Sequence, residues 1–544
     1  MDIKLMYRKD LDALKGIAII AVVLFHMGLL DSGYLGVDAF FVINGFLVVP
    51  ALLKKIMSGD FSYFNFIEKK MLRLMPLVVV ASAACLAIGF VGMLPDDFEN
   101  LAESVIAGNI FSENILSAIT TKNYWAVGND YKPLMHLWYV GILFEFYLLL
   151  PLILMVFKKI CSCFHVRAEK GLVNVLGILF VISLLLYLLP FDTENNKFYF
   201  IQYRMFELLF GGLIGLSSNR LNAHDAEEQK PHSLWWIPCG LLVFVFISSL
   251  FAFDLEEGLI QSKSALLILT VVLTGMFIIN DNTNSKIFNC SLLAYLGKRS
   301  YSIFIWHQVL LAFYRYFVSN HITVLVVIGF FAVAIGVSEL SYRFIEQKVK
   351  ISHKAFVGWI VAAALISILS GWIYLHAGVV RDVPEQNITF DKVHRGMHAE
   401  YCDRVYQMDK DFESSDKIKV LAKGDSFARD FVNCLLESDF ADSVEVSYIF
   451  SWNEKYINRI RQADYIFCLG PKLKVPLYVW DNLRDEAQVW GIGTKSFGES
   501  NGIVYSKRGR EGYLNTVVEM EDGINDRNDE WAKQWGNNYI NFIE

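Results

Sequence analysis

Charged side chains are scarce in this 544-residue chain, 19% against 54% apolar, and the mean hydropathy is +0.38. That composition excludes an ordinary soluble globular protein. Cysteine is sparse and scattered, eight in all. Cys161 and Cys163 sit between apolar runs, and Cys402, Cys434 and Cys468 lie toward the C-terminus, where one disulfide is open to them but no framework is implied. There is no internal repeat and no low-complexity segment. Long apolar runs are missing after about residue 377, and histidine is missing after His398. Most of the acidic charge lies in those last 168 residues, so the net charge of −7 describes the tail and gives no reason to expect nucleic acid as a partner.

The apolar residues fall into eleven runs, near 12–31, 34–53, 75–94, 134–157, 172–190, 203–219, 234–253, 264–280, 292–317, 322–342 and 356–376. Each is about the 17 to 25 residues that cross a hydrocarbon core of ~30 Å as a helix. With the N-terminus cytoplasmic, the inner segments hold 22 lysines and arginines and the alternate segments only Lys122, Lys132, Lys197, Arg204, Lys263 and Arg315. Cytoplasmic loops retain such charges, so the chain reads as a polytopic membrane protein with an external tail. The first run has basic residues before it but no small-residue cleavage signal after it, and reads as a retained signal anchor.

Within that first run, "LDALKGIAIIAVVLFHMG" (11–28) places a lysine and a histidine where lipid would prefer neither. Ionisable groups inside a span are costly and mark a cavity or a partner; the plain alternative is a neutral imidazole bonded to a neighbouring helix. Lys15 and His26 are eleven residues apart, close to three helical turns, so both project from one face about 16 Å apart. A cation at the inner boundary and a base deeper in suit a ligand with an anionic head and a reactive end. Coenzyme A, with phosphates at one end and a thioester at the other, has that form.

The same residues carry a family resemblance. "YRKDLDALKGIAIIAVVLFH" followed by "GYLGVDAFFVINGFL" resembles the opening of the acyltransferase 3 family, in which Arg or Lys, ten residues, then His occupy the first helix. "FIEKKMLRLMP" (66–76), "PLMHLWYVGILFEFYLLLPL" (133–152), "YLGKRSYSIFIWH" (295–307) and "LSYRFIEQ" (340–347) resemble its later motifs in order. The resemblance implies transfer of an acyl group, commonly acetyl, from cytoplasmic acyl-CoA to a hydroxyl of an extracytoplasmic carbohydrate. His26 is then a general base or transient acyl carrier, and Lys15 a phosphate-binding cation. Lys69, Lys70 and Arg73 are expected to complete a phosphate clamp, or else to be ordinary positive-inside charge, and Asp12 to orient Lys15.

Two departures from the family pattern bear on the acceptor side. Where a Ser-Leu-Ser-Val-Glu-Glu-Gln-Phe-Tyr run is usual, this chain has residues 139–147, with Leu143 and Phe144 in place of both glutamates and Glu145 in place of glutamine. Glu145 is a candidate to orient a histidine or an acceptor hydroxyl, or it is structural. Asn44 replaces the usual serine before Gly-Phe-Leu. His136 and His307 are expected at span boundaries, where Trp-His pairs commonly anchor the interface.

In the tail, residues 377–415 read as a linker. "KIKVLAKGDSFARDFVNCLLE" then gives a strand, a Gly-Asp-Ser turn and a helix with Phe427, Phe431 and Leu435 on one face. That geometry presents Ser426, with Asp425 beside it, as a nucleophile with helix-start N–H groups near an oxyanion. Further β-rich runs at 443–450, 464–469 and 488–494 point to a parallel α/β sheet. This resembles an SGNH-type domain. Such domains end in Asp-x-x-His, which this chain lacks; His394 and His398 are poor substitutes, as is Asn453 for the usual Gly-x-Asn asparagine. The expectation is an incomplete domain, weak or inactive without a base.

The expected fold is a mainly α polytopic membrane protein of about eleven helices: an acyltransferase domain over 1–350, an additional helix over 351–376, a linker, and an extracytoplasmic α/β domain over 416–544. The expected function is membrane O-acyl transfer, to peptidoglycan, O-antigen or exopolysaccharide, in a bacterial cytoplasmic membrane. Acyl-CoA (acetyl-CoA) is the expected donor, with membrane lipids and carbohydrate as partners and no metal. The alternatives are a glycan transporter, for which paired broken helices or symmetric halves are absent, and a non-catalytic glycan-binding membrane protein.

Overall fold

The structure, a computed structural model, describes residues 8–93, 95–120, 130–163, 168–224, 263–280, 288–319, 321–349, 351–376, 378–379, 399–469 and 475–492. The chain divides into two units, the first reaching Gly378 and the second beginning at Val379. The first is helical: α1 (Lys9–His26), α2 (Gly36–Ser58), α3 (Tyr63–Gly92), α4 (Pro95–Asn109), α5 (Glu113–Thr120), α6 (Trp138–Cys163), α7 (Ala168–Leu188), α8 (Glu194–Tyr199), α9 (Ile201–His224), α10 (Lys263–Ile279), α11 (Ser291–Lys298), α12 (Ser300–Phe317), α13 (Val324–Ser341) and α14 (His353–Leu375). Ser62, Thr323 and Ser352 cap the starts of α3, α13 and α14 by accepting from backbone N–H groups one turn on.

Among the described residues, six helical segments are long and apolar enough to cross a membrane: Asp31–Ser58, Tyr63–Gly92, Met135–Ser162, Gly171–Leu188, Val324–Glu346 and His353–Leu375. The protein is therefore multi-pass by this criterion. Gly171–Leu188, Val324–Glu346 and His353–Leu375 leave most of their apolar surface uncovered, with Ile178, Leu325 and Ile368 at 58%, 80% and 69% exposure, as helices lying against lipid do. The remaining expected runs divide. α1 coincides with the first but carries Asp10, Asp12 and Lys15, and α9 and α10 cover two more, while 234–253 lies outside the described residues. The run 292–317 is not one span: the helix breaks at Arg299 (φ −103°, ψ 5°) into α11 and α12. His307 therefore falls midway along α12 and not at a boundary.

The polar stretch 95–133 also differs from a plain loop. It holds α4 and α5, and Glu113 and Asn114 of α5 are buried. Buried charge elsewhere is paired. The Arg8 guanidinium binds Asp10 at 2.6 Å and donates to the Ile278 carbonyl at 2.8 Å, which ties the start of α1 to the end of α10. α1 and α11 cross very closely: a Cβ on Gly16 would meet the Leu293 carbonyl oxygen at 2.3 Å, and one on Gly297 the Asp12 carbonyl oxygen at 1.7 Å. Only glycine allows backbones to approach this far.

The second unit contains α15 (Ala399–Tyr406), inside the stretch expected as linker, and a small α/β fold. Strands β1 (Ile418–Lys423), β2 (Val444–Ile449), β3 (Tyr465–Leu469) and β4 (Gln488–Ile492) form an all-parallel sheet in the order β2-β1-β3-β4, with α16 (Ser426–Leu436) following β1. The core face of α16 is Ala428 and Val432, packed with Phe431 and Leu435 against Val420, Ala422 and Val446; Phe427, expected with them, lies outside that cluster. A second cluster with Leu421, Ile449 and Ile466 covers the other face of the sheet, as parallel strands require.

Candidate functional site: a basic cavity and a histidine cluster

A cavity of about 550 Å³ opens within the helical unit, a size typical of small-molecule sites. Four lining residues are cationic: Lys15 of α1, Lys70 and Arg73 of α3, and Lys298 at the end of α11. Lys70 and Arg73 are three apart and share a helix face; Lys69, one position earlier, is exposed and lines no part of the cavity. The clamp expected from Lys69, Lys70 and Arg73 is thus placed with two of its three members facing the cavity. Lys70 Nζ lies 4.3 Å from the ring centre of Tyr147, and Lys15 Nζ lies 3.3 Å from Asp12 Oδ1, the pairing that the sequence led us to expect.

Aromatic side chains line it as well, Phe40, Tyr139, Tyr301 and Phe304. Asn44 donates through Nδ2 to the Tyr139 hydroxyl at 2.8 Å and to the Phe40 carbonyl at 2.9 Å. Tyr301 donates to the Leu74 carbonyl at 2.7 Å, joining α12 to α3. Phe304 connects the cavity to what lies beyond it. Its ring centre is 5.2 Å from Tyr139, 5.1 Å from His136 and 5.8 Å from His307.

His26, His136 and His307 form one cluster. The ring centres of His26 and His307 are 5.1 Å apart, and those of His136 and His307 5.5 Å. His136 and His307 are 2% and 0% exposed, so neither stands as an interfacial anchor, the role that an adjacent tryptophan suggests for His307. The cluster is held by Arg315 of α12, which donates to the His26 carbonyl at 2.6 Å and pairs with Asp130 at 3.3 Å. Because α1 is unbroken from Lys9 to His26, eleven residues bring Lys15 and His26 within about 20° of one face. Lys15 lines the cavity and His26 sits in the cluster past its aromatic wall.

Glu145 is placed differently from the cavity residues. It does not line the cavity, and it accepts a hydrogen bond from Asn114 Nδ2 at 2.9 Å, while the same amide donates to the Tyr199 carbonyl at 3.2 Å. Its carboxylate thus ties α6 to α5. Lys298, Tyr301, Phe304, Tyr147 and Glu346 also line the cavity. The sequence alone assigns none of them a role, although they fall in three of the stretches quoted for the family resemblance, 295–307, 133–152 and 340–347.

In the second unit, Ser426 is exposed at the start of α16, after a turn in which Gly424 takes φ 148°, a conformation that favours glycine. Asp425 caps the helix, its Oδ1 accepting from the Phe427 N–H at 3.2 Å. Asn453 likewise caps a short turn by accepting from the Lys455 N–H at 3.0 Å. The described residues of this unit include no histidine, and His394 and His398 lie outside the described residues. Among the described residues there is no group of three metal-ligating side chains.

Comparison with known proteins bears on the helical unit. The family model described as an acyltransferase domain, acyltransferase 3, matches residues 8–343. The chain is 27% identical to "Putative O-acetyltransferase SAS0844" of Staphylococcus aureus (strain MSSA476) over 355 residues, 63% of this chain and 57% of that one. It is also 27% identical to O-acetyltransferase OatA of Staphylococcus aureus (strain NCTC 8325 / PS 47) over 365 residues, 64% of this chain and 58% of that one. The alignments thus span a little over half the length of these relatives. No solved structure matches the chain. The match covers well over half of the chain and includes the histidine cluster, the first-helix Lys15–His26 pair and all of the cavity lining but Glu346 and Gln347, and the chain belongs to the acyltransferase 3 family.

Proposed function

We propose that this protein is a membrane O-acetyltransferase that takes an acetyl group from cytoplasmic acetyl-CoA and delivers it to hydroxyls of an extracytoplasmic polysaccharide. The N-terminus is cytoplasmic in this reading, and the membrane is the bacterial cytoplasmic membrane. The observation that carries it is the cavity lined by Lys15, Lys70, Arg73 and Lys298 together with aromatic side chains, of which Phe304 joins it to the cluster of His26, His136 and His307. Lys15, Lys70 and Arg73 hold the phosphates of the donor, and the pantetheine arm lies along Tyr139 and Phe304. His26 accepts the acetyl group or the acceptor's proton. The O-acetyltransferase names of the relatives support the same reaction class.

Ser426 has no step of its own in this scheme. Its neighbour Asp425 is engaged as a helix cap. The unit around it is read as an SGNH-like, acceptor-facing module.

The test is His26→Ala in the full chain. With membrane insertion confirmed, base-labile acetate on the cell's polysaccharides is expected to fall to the level of cells lacking the protein. Unchanged acetate would overturn the enzyme reading.

A further inference from the structure

His307 presents its two nitrogens to very different surroundings. Nδ1 lies 2.7 Å from the Phe304 carbonyl oxygen and 3.2 Å from that of Ile303. A carbonyl only accepts, so Nδ1 carries the proton, and Nε2 is left as a bare lone pair. That Nε2 is buried and has no hydrogen-bond partner. Burying an acceptor without a partner is unfavourable, and the cost is avoidable here, since a leucine would fill the same space in α12. The ring is also fixed: its proximal edge is bonded to its own helix, so the basic nitrogen is on the edge directed away from that helix, in a cluster whose other members are His26 and His136.

We infer that His307 is the second base of the transfer, acting on the acceptor while His26 carries the acetyl group. This rests on the proposed donor role of His26. In the first half, a His26 nitrogen bonds to the thioester carbonyl carbon, the C–S bond breaks, and the remaining His26 N–H proton leaves with the thiolate as free CoA thiol. In the second half, the acceptor oxygen bonds to the acetyl carbonyl carbon and the N–C bond to His26 breaks. The hydroxyl proton passes to His307 Nε2, and from there to the imidazole of His26, restoring both rings. The fixed tautomer serves that role, because a base whose proton is already committed to the backbone accepts only at the other nitrogen.

His307→Asn tests this directly. The asparagine amide can keep the donor to the Phe304 carbonyl, but it supplies no base at the distal position. The full-length protein in inverted membrane vesicles is given radiolabelled acetyl-CoA. The expected result is label retained on the protein in near one-to-one amount and released by neutral hydroxylamine, as an acyl-imidazole is, with acetate on cell polysaccharide falling at least about 100-fold. Adding His26→Ala to this variant removes the label. Protection of purified His307→Asn by CoA against thermal unfolding shows that it is folded. Wild-type polysaccharide acetate in His307→Asn, or loss of both label and turnover in a CoA-protected variant, overturns the inference. Neither result touches the His26→Ala test, whose failure removes the underlying function instead.

Discussion

The side-chain amide of Asn44 and the hydroxyl of Tyr139 meet at 2.8 Å and join α2 to α6 along one wall of the basic cavity. The serine usual at this position in the family pattern is shorter than asparagine. Asn44→Ala leaves the Tyr139 hydroxyl without this donor, and a loss of about 1–3 kcal/mol is expected. Removing both groups restores the balance, so Asn44→Ala with Tyr139→Phe is expected to be more stable than Asn44→Ala alone. Thermal unfolding of the detergent-solubilised variants reads the difference.

If Lys15, Lys70 and Arg73 hold the donor as proposed, adjacent lysines are expected to differ. Lys70→Ala is expected to raise the KM for acetyl-CoA roughly 10- to 100-fold, the worth of about 1.5–3 kcal/mol for one charged hydrogen bond. Lys69→Ala, exposed and off the cavity, is expected to leave it unchanged. Equal effects of the two substitutions would show that general positive charge, and not the cavity, binds the donor.

The crossing of α1 and α11 sets where Lys15 stands. A methyl at Gly297 would sit 1.7 Å from the Asp12 carbonyl oxygen, so Gly297→Ala must push the two helices apart. Overpacking of this kind costs about 1–3 kcal/mol. A lowered unfolding temperature is expected together with a raised KM for acetyl-CoA, because Asp12 and Lys15 move with their helix.

Two substitutions in the second unit should act in different ways. Asp425→Ala removes the cap of α16 and is expected to destabilise that unit by about 1 kcal/mol, seen as faster proteolysis of the tail. Ser426→Ala touches no hydrogen bond of the fold, and polysaccharide acetate is expected to change less than twofold. A loss as deep as that of His26→Ala would place Ser426 on the transfer path.

Much of the architecture was legible because it is local. Apolar runs of spanning length, the clustering of lysine and arginine between them, and the strand, Gly-Asp-Ser turn and helix around Ser426 all depend on residues near one another in the chain. The reading failed where local pattern gives way to packing. The run 292–317 contains no proline, and its break at Arg299 is marked only by Gly297, Lys298 and Arg299, a glycine and two cations of the kind that close a helix, which a count of apolar length passes over. That Gly297 is also pressed against α1 is visible only in the packed structure. Glu145 was attractive as a carboxylate near His136 in sequence, but its helix turns it toward Asn114.

By itself, the sequence determined that the chain enters the membrane and that Lys15 and His26 share a helical face, since hydrophobic length and a 3.6-residue period are properties of a single segment. Only the tertiary structure decided which other groups join them. His26, His136 and His307 come from three segments far apart in the chain, and their meeting depends on long-range packing. The unpaired nitrogen of His307 is visible only once the ring's surroundings are in place, because whether a buried lone pair has a partner is a property of the assembled core and of no single stretch of residues.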